Sequence, residues 1–431
     1  MLQEIINAVL PNGEKGAIQI FDGRITGVGP AEGFKNFLDA DGLWVVPGLI
    51  NMHVHFRTPG EQDKEDWHTG TAAALAGGCT TVGDMPNNSP RPCTSFHVLR
   101  DKMKYVGVQP VDARFWLGAQ PGSLWRGELS EARILQPLIV GVKTYFDIST
   151  GELIVREQKD RIAIAQAAAE YDMVNAVHAE SETVRLRNIS RLEGPLRLED
   201  HCVIRSAESE IEAVKEAIEV QRCSGVKMLV CHVSHPTSIE LILRAQDRGQ
   251  NIHIEVCPHH LFLTSGLLGR MDGAFFQMNP PLRSPEEAER LLDYVCKGYI
   301  QTIASDHAPH EVAEKVMKRY PNTPSGVPGV QDLFSLMFSL VSAGRITIQR
   351  FIELTSTNAA NLFGLKKGRI ESGYEADLVL FDPVQDVVFK NEDQLTKCGW
   401  SPFALAGLWG MGVPQIVIQK GIVRYTKPRN V

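Results

Sequence analysis

Four histidines, one aspartate and one lysine stand where a metal centre could be assembled. His53 and His55 form an HxH pair; His178 follows "MVNAV", His232 follows "KMLVC", Asp306 follows "QTIAS", and Lys143 lies within "GVKTYF". Residues two apart on a strand point to the same side, so His53 and His55 can offer two nitrogens to one ion. Imidazole and carboxylate together suit Zn²⁺ and its neighbours among the divalent metals. An HxH pair alone says little. The inference comes from the ordered set, each member in or just after an apolar run. His68, His97, His201 and His253 lack such a setting and read as ordinary core or surface histidines.

Lys143 needs a reason of its own. A bare ammonium is costly to bury in an apolar strand, and divalent cations would repel it. Reaction of the amine with CO2 would give a carbamate anion able to bridge two metals. In the plainer alternative, Lys143 snorkels to the end of its strand.

These residues are far apart in sequence, so regular elements must gather them. Apolar strand-like runs span Val45–His53, Cys79–Met85, Ala113–Gly118, Gly141–Phe146, Met173–His178, Val226–His232, Asn251–Cys257 and Ile300–Asp306. Helical stretches lie between them, among them Pro236–Asp247 and Pro285–Cys296. The second opens with Ser284 as N-cap, Pro285 in the first turn and acids at 286 and 287. Eight such units in roughly 320 residues predict an α/β fold, a (β/α)8 TIM-like barrel, which collects its strand ends at one mouth. A doubly wound sheet is disfavoured, because "NMHVHFRTPG" and not a glycine-rich phosphate loop follows the first run. The chain ends differ in character. Ala17–Phe21 and Arg24–Val28 flank an Asp-Gly turn, and Gly368–Pro383 and Pro414–Tyr425 are similarly β-rich. We expect both ends to build one small β-sandwich domain, from residues 1–46 and 366–431, around a metal-dependent barrel of residues 47–365.

Composition agrees. The 431 residues are 43% hydrophobic and 22% charged, which suits a large folded core. A net charge of −7 gives no nucleic-acid footprint. No apolar run has membrane-spanning length and no basic leader opens the chain, so no membrane role is expected. Eight scattered cysteines without a CxxC pair suggest a reduced, cytoplasmic setting.

The segments "VVPGLINMHVHFRTPG", "LAGGCTTVGDMPNN", "GVKTYF", "HAE", "CHVS", "EVCPHHLFLT", "NPPLR", "ASDHAPH" and "KCGWSPF" together resemble the cyclic amidohydrolases of the amidohydrolase superfamily. Among them the chain is most similar to the long-type dihydroorotases. The resemblance implies two divalent metal ions, Zn²⁺ in the first instance. His53, His55 and Asp306 would hold the more buried ion, and His178 and His232 the second. N6-carboxylated Lys143 and a hydroxide would bridge the two. It further implies that Arg57, Asn87 and His310 bind a substrate carboxylate, that Asn279 binds polar ring groups, and that the loop with Pro328 and Gly329 offers backbone groups. Asn88 stands where many relatives have Thr. A guanidinium at position 57 can match a carboxylate bidentately. Dihydroorotate carries one, whereas allantoin, hydantoin and dihydrouracil do not.

The expected activity is therefore reversible closure of N-carbamoyl-L-aspartate to L-dihydroorotate plus water in pyrimidine (UMP) biosynthesis. Asp306 would be catalytic, moving a proton from the attacking oxygen to the ring nitrogen. Allantoinase and hydantoinase or dihydropyrimidinase are the alternatives within the class. A deaminase of the same superfamily is disfavoured by Lys143, which argues for two metals. A non-catalytic partner subunit of aspartate transcarbamoylase is disfavoured by the complete ligand set. The resemblance also implies a homodimer, and association with aspartate transcarbamoylase is compatible with catalysis.

Overall fold

A computed structural model describes residues 1–428 except 123, 124, 137 and 150–152; the last residues of the expected C-terminal segment, 429–431, lie outside the described residues. Eight parallel strands form a sheet in strict chain order: Leu49–Val54, Cys79–Asp84, Asp112–Gly118, Ile139–Tyr145, Val174–His178, Met228–Val230, Ile252–Val256 and Thr302–Ile303. The first and eighth strands share no ladder. They are joined by a Val54–His307 bridge, and the His55 N–H donates to the His307 carbonyl at 2.8 Å. Asn51 donates to the Ser305 hydroxyl at 2.6 Å and accepts the Ser305 N–H at 3.1 Å. These contacts close the barrel.

Helices cover the barrel where the sequence places them. Pro236–Asp247 and Pro285–Cys296 have the predicted bounds, and Ser284 and Glu287 form a reciprocal capping box. Inside, Ile50, Met52, Trp116, Val174, Ala176 and Leu229 fill the barrel below the mouth. Gly141 makes room for Trp116. A Cβ there would lie 2.7 Å from the indole ring and 2.2 Å from the Val174 carbonyl oxygen.

Two irregularities decide which side chains face inward. The ladder to the second strand pairs Asn51 with Val82 and Val54 with Asp84, so the first strand carries one extra residue. Simple alternation from Ile50 and Met52 would turn His53 and His55 outward; the bulge restores them to the interior. The fourth strand has the same device. Phe115 pairs with Ile139 and Trp116 with Gly141, and Lys143 and Tyr145 then face inward.

The chain ends form a second sheet, mostly antiparallel. Trp44–Pro47 pairs antiparallel with Leu378–Phe381, Leu378 opposite Pro47 and Phe381 opposite Trp44. The expected first barrel run, Val45–His53, is thus split. Its first residues join the second sheet, and the barrel strand begins after Gly48, whose Cβ position is filled by the Thr80 side chain. The Asp-Gly hairpin forms as read, with Asp22 and Gly23 at φ 47° and 72°. Leu378, Leu380 and Ile418 pack with Ile5, Ile18, Ile20 and Val45 on one face. Val379, Phe381 and Val417 face the other way, where Phe381 meets Phe334 and Phe338 of the barrel helix Leu333–Ser342.

One buried ion cluster crosses between the two sheets. The Lys367 ammonium lies 3.0 Å from Asp112 at the base of the third barrel strand, 2.7 Å from Glu375 and 2.6 Å from Asp377. These carboxylates outweigh the cost of burial and raise the Lys367 pKa. Removing one partner of such a cluster strands the others without water. We expect Lys367→Met to lower stability by about 3–5 kcal/mol, read from the denaturant midpoint. An unchanged midpoint would show that the cluster does not hold the sheets together.

Candidate metal centre

At the barrel mouth the two halves of the ligand set meet as follows. His53 Nε2 lies 3.2 Å and His55 Nε2 3.0 Å from the same Asp306 oxygen. His178 Nδ1 and His232 Nε2 face each other at 3.0 Å. The groups adjoin, the His53 and His232 rings being 5.3 Å apart between centroids. Lys143 Nζ is fully buried, has no hydrogen-bond partner, and stands 5.3 Å from the Tyr145 ring centroid.

The outer nitrogens explain why the inner ones converge. His53 Nδ1–H donates to Glu255 at 2.7 Å, His55 Nδ1–H to the Asn87 side-chain oxygen at 2.8 Å, and His178 Nε2–H to Glu180 at 2.9 Å. Each bond ties one ring nitrogen outward and turns the opposite nitrogen inward; on a neutral ring such as His55 that nitrogen carries a lone pair. Lone pairs and a carboxylate directed at one point repel unless a cation stands between them. Ligand atoms within 4.8 Å of one another are found in two trios, His53–His55–Asp306 and His53–Cys231–Glu255. The second uses the outer side of His53, where Glu255 also accepts the His232 backbone N–H at 3.3 Å.

The electrostatics follow from burial and these neighbours. Burial disfavours charge on His53, but Asp306 and Glu255 outweigh it and push the imidazole up to about 10. Burial pulls His55 down to about 4, and it takes His232 well below the usual range with help from His178 and Lys143. Burial also opposes ionisation of Asp306, yet His53 and His55 hold its carboxyl well below the usual carboxylate range. The donor set fits divalent ions, and a buried amine near the His53 and His232 imidazoles, with no hydrogen-bond partner, fits conversion to a carbamate.

His232 and Asp306 lie beyond their short strands, not at the strand ends expected from sequence. Both adopt left-handed backbone, φ 38° and 45°, as does Arg57 at φ 58°. Such conformations cost non-glycine residues roughly 1–3 kcal/mol each and collect where function over-determines geometry.

Beside the ligands, Arg57 is 2% exposed. Its Nε donates to the Pro309 carbonyl and its Nη2 to His310 Nε2, both at 3.2 Å. Burial, with Arg57 adding to it, holds the His310 imidazole far below its usual range and therefore neutral. Asn87 joins the two parts, because its oxygen is committed to His55. Buried Lys102 ion-pairs with Asp84 and donates to Asn88 Oδ1 at 2.8 Å, which fixes the turn carrying Asn87. Asn279 is buried with its side-chain oxygen unpartnered. Val327 bridges to His307, so buried Pro328 and Gly329 sit beside the eighth strand; the Gly329 N–H is already given to His307 Nδ1 at 3.2 Å.

Sequence reasoning missed Glu180 and Glu255. Glu255 had the signal that singled out Lys143, a charge inside an apolar strand. Glu180 lies two residues past His178 within "HAE". Glu255→Gln or Glu180→Gln should weaken binding of added Zn²⁺ about 10–100-fold, measured by competition with a chromogenic chelator. Unchanged affinity in both would deny these residues an anchoring role.

Residues 44–423 match the amidohydrolase family. The chain is 34% identical over 405 residues to a dihydroorotase of Halobacterium salinarum, covering 93% of this chain and 92% of that protein. It is 31% identical over 401 residues to an allantoinase of Salmonella paratyphi B, covering 90% and 86%. Among solved structures it superposes on the L-hydantoinase of Arthrobacter aurescens with a TM-score of 0.91, at 27% identity, covering 98% of this chain and 96% of that one. With a match over most of its length and a barrel that carries the ligand set at its mouth, the chain belongs to the amidohydrolase family.

Proposed function

We propose that this protein is a dihydroorotase, a metal-dependent cyclic amide hydrolase that interconverts N-carbamoyl-L-aspartate and L-dihydroorotate plus water in pyrimidine biosynthesis. The observation that carries the substrate assignment is Arg57. Its guanidinium is buried beside the centre with no carboxylate in ion-pairing distance among the described residues, and its nearest side-chain partner is the neutral His310. A buried cation in that state favours an anionic ligand. Uncharged rings such as allantoin, hydantoin or dihydrouracil would leave it with no carboxylate at contact distance, only Glu61, Asp306, Asp84 and Glu314 acting from further away. The chain is similar to allantoinases and hydantoinases as well as to dihydroorotases, so Arg57 and not the overall similarity carries the choice of ring.

The residues of the chain divide the work. His53, His55, His178, His232, Asp306 and carboxylated Lys143 would hold two divalent ions, Zn²⁺ in the first instance; such ions supply Lewis acidity and bring a water's pKa toward neutrality. Arg57, His310 and Asn87 grip the ring carboxylate and orient the scissile amide, which is positional catalysis. Asn279 and the Pro328–Gly329 backbone lie against the ring. Asp306, partly buried and kept ionised by His53 and His55, can accept the proton of the attacking water and return it to the departing nitrogen. The same reading places the enzyme in the cytoplasm as a homodimer able to associate with aspartate transcarbamoylase. The eight free cysteines and the absence, among the described residues, of any helix long and apolar enough to cross a membrane are compatible with it.

The test is a substrate panel of L-dihydroorotate, allantoin, hydantoin and dihydrouracil, followed by absorbance loss on ring opening, with bound metal counted in the same sample. Dihydroorotate should be the preferred ring; preference for an uncharged ring overturns the assignment. Arg57→Met should lower kcat/KM for dihydroorotate by about 30- to 1000-fold while sparing any residual turnover of uncharged rings. Asp306→Asn should cut kcat by about 100- to 10,000-fold.

A further inference from the structure

The segment between Pro309 and Gly326 bears a short helix, Val312–Met317, whose packing reverses the usual pattern. Val312, Val316 and Met317 are exposed, Met317 to 81%, and the residue that the helix buries is a lysine, Lys315, at 1% exposure. A helix that docks through an ammonium needs a reason, since burying that charge is costly.

The contacts of Lys315 supply one. Its Nζ donates to the Pro324 carbonyl at 2.8 Å and to the Gln277 carbonyl at 3.3 Å, and it lies 5.8 Å from the centroid of the Trp400 ring. Pro324 belongs to the returning limb of the same segment, and Gln277 precedes Met278 and Asn279. The Gln277 side chain in turn donates to the Thr323 carbonyl at 3.0 Å and to Ser325 Oγ at 2.9 Å, and the Gly326 N–H donates to the Gln277 carbonyl at 2.9 Å. Lys315 therefore clasps both limbs of the segment to the strand of chain that leads to Asn279.

What the clasp encloses is the Arg57–His310 pair. His310 opens the segment, the Ser325 carbonyl lies 3.1 Å from His310 Nε2, and the Trp400 indole N–H donates to the His310 carbonyl at 2.8 Å. Like Arg57, Lys315 has no carboxylate in ion-pairing distance among the described residues. Burial, with Arg57 adding to it, brings the Lys315 amine down to about 7, while Glu314 opposes the fall. An anion seated at Arg57 would favour the charged ammonium.

We propose that Lys315 is a positioning and specificity residue: it clasps the 309–326 segment around Arg57 and His310 and adds a second buried cation that selects an anionic ring substituent. This rests on the carboxylated-ring reading above and deepens it. Lys315 does not touch the substrate. It acts through the placement of His310 and through the field at Arg57.

The experiment compares Lys315→Met and Lys315→Arg with the unaltered protein, using L-dihydroorotate and dihydrouracil, with metal content and thermal midpoint as controls. The expected result is a KM for dihydroorotate raised about tenfold in Lys315→Met, with kcat held within about threefold, and a KM largely restored in Lys315→Arg, which keeps the charge. An unchanged KM in Lys315→Met overturns the proposal. Equal losses of kcat and KM in both variants overturn it too, because they would mark a merely structural role. Lys315→Gln keeps donors for the two carbonyls without the charge. It serves if the methionine variant does not fold, and a wild-type KM in it is equally fatal. If the unaltered protein prefers dihydrouracil, the functional reading falls and this inference with it. If it prefers dihydroorotate and the variants keep its KM, only this inference falls.

Discussion

The seam between the first and eighth barrel strands is the contact on which the rest of the molecule depends. The eighth strand is two residues long and cannot pair its way to the first. Closure falls instead to the reciprocal Asn51–Ser305 bonds and to the backbone bond from the His55 N–H to the His307 carbonyl. Asp306 stands between Ser305 and His307, so the bonds that close the barrel also hold its carboxylate against His53 and His55. In a parallel barrel the strand ends form one rim, and a break at any seam would separate ligands that no local sequence holds together.

Two charge environments are built side by side on that rim. In one, three imidazoles are tethered outward, His53 to Glu255, His55 to Asn87 and His178 to Glu180, and turn their other nitrogens toward Asp306 and His232. In the other, Arg57 and Lys315 are buried with no carboxylate in ion-pairing distance among the described residues, set against carbonyls, a neutral imidazole and an indole face. The first environment suits cations and the second an anion. Asn87 adjoins both, its oxygen tied to His55. A substrate spanning the two would be placed by a single set of fixed contacts.

Supporting charges are treated in the same way throughout. Lys102 is paired with Asp84 beneath the turn carrying Asn87, and Arg205 is paired with Glu180 behind His178. Lys367 is surrounded by three carboxylates between the sheets. Against this background of paired buried charges, Arg57 and Lys315, like Lys143 beside the imidazoles, have no carboxylate in ion-pairing distance among the described residues.

The sequence by itself determined the barrel, the covering helices, the β-rich ends and the identity of the metal-ligand candidates. Those features rest on local patterns: apolar runs of strand length, capping residues, an Asp-Gly turn, and charged or imidazole groups in apolar surroundings. It could not determine which way His53, His55 and Lys143 point. Bulges in two strands reverse the simple alternation, and a bulge is set by pairing with a neighbouring strand. It could not show that His232 and Asp306 sit past their strands in left-handed backbone, because no glycine marks those positions. Nor could it divide Val45–Pro47 from the strand that follows, since both pieces are apolar and only their partners differ. The roles of Glu180, Glu255 and Lys315 were likewise decided by tertiary structure alone. Glu255 and Lys315 act on residues distant in sequence, and Glu180, although two residues from His178, is held against it by Arg205 from further along the chain.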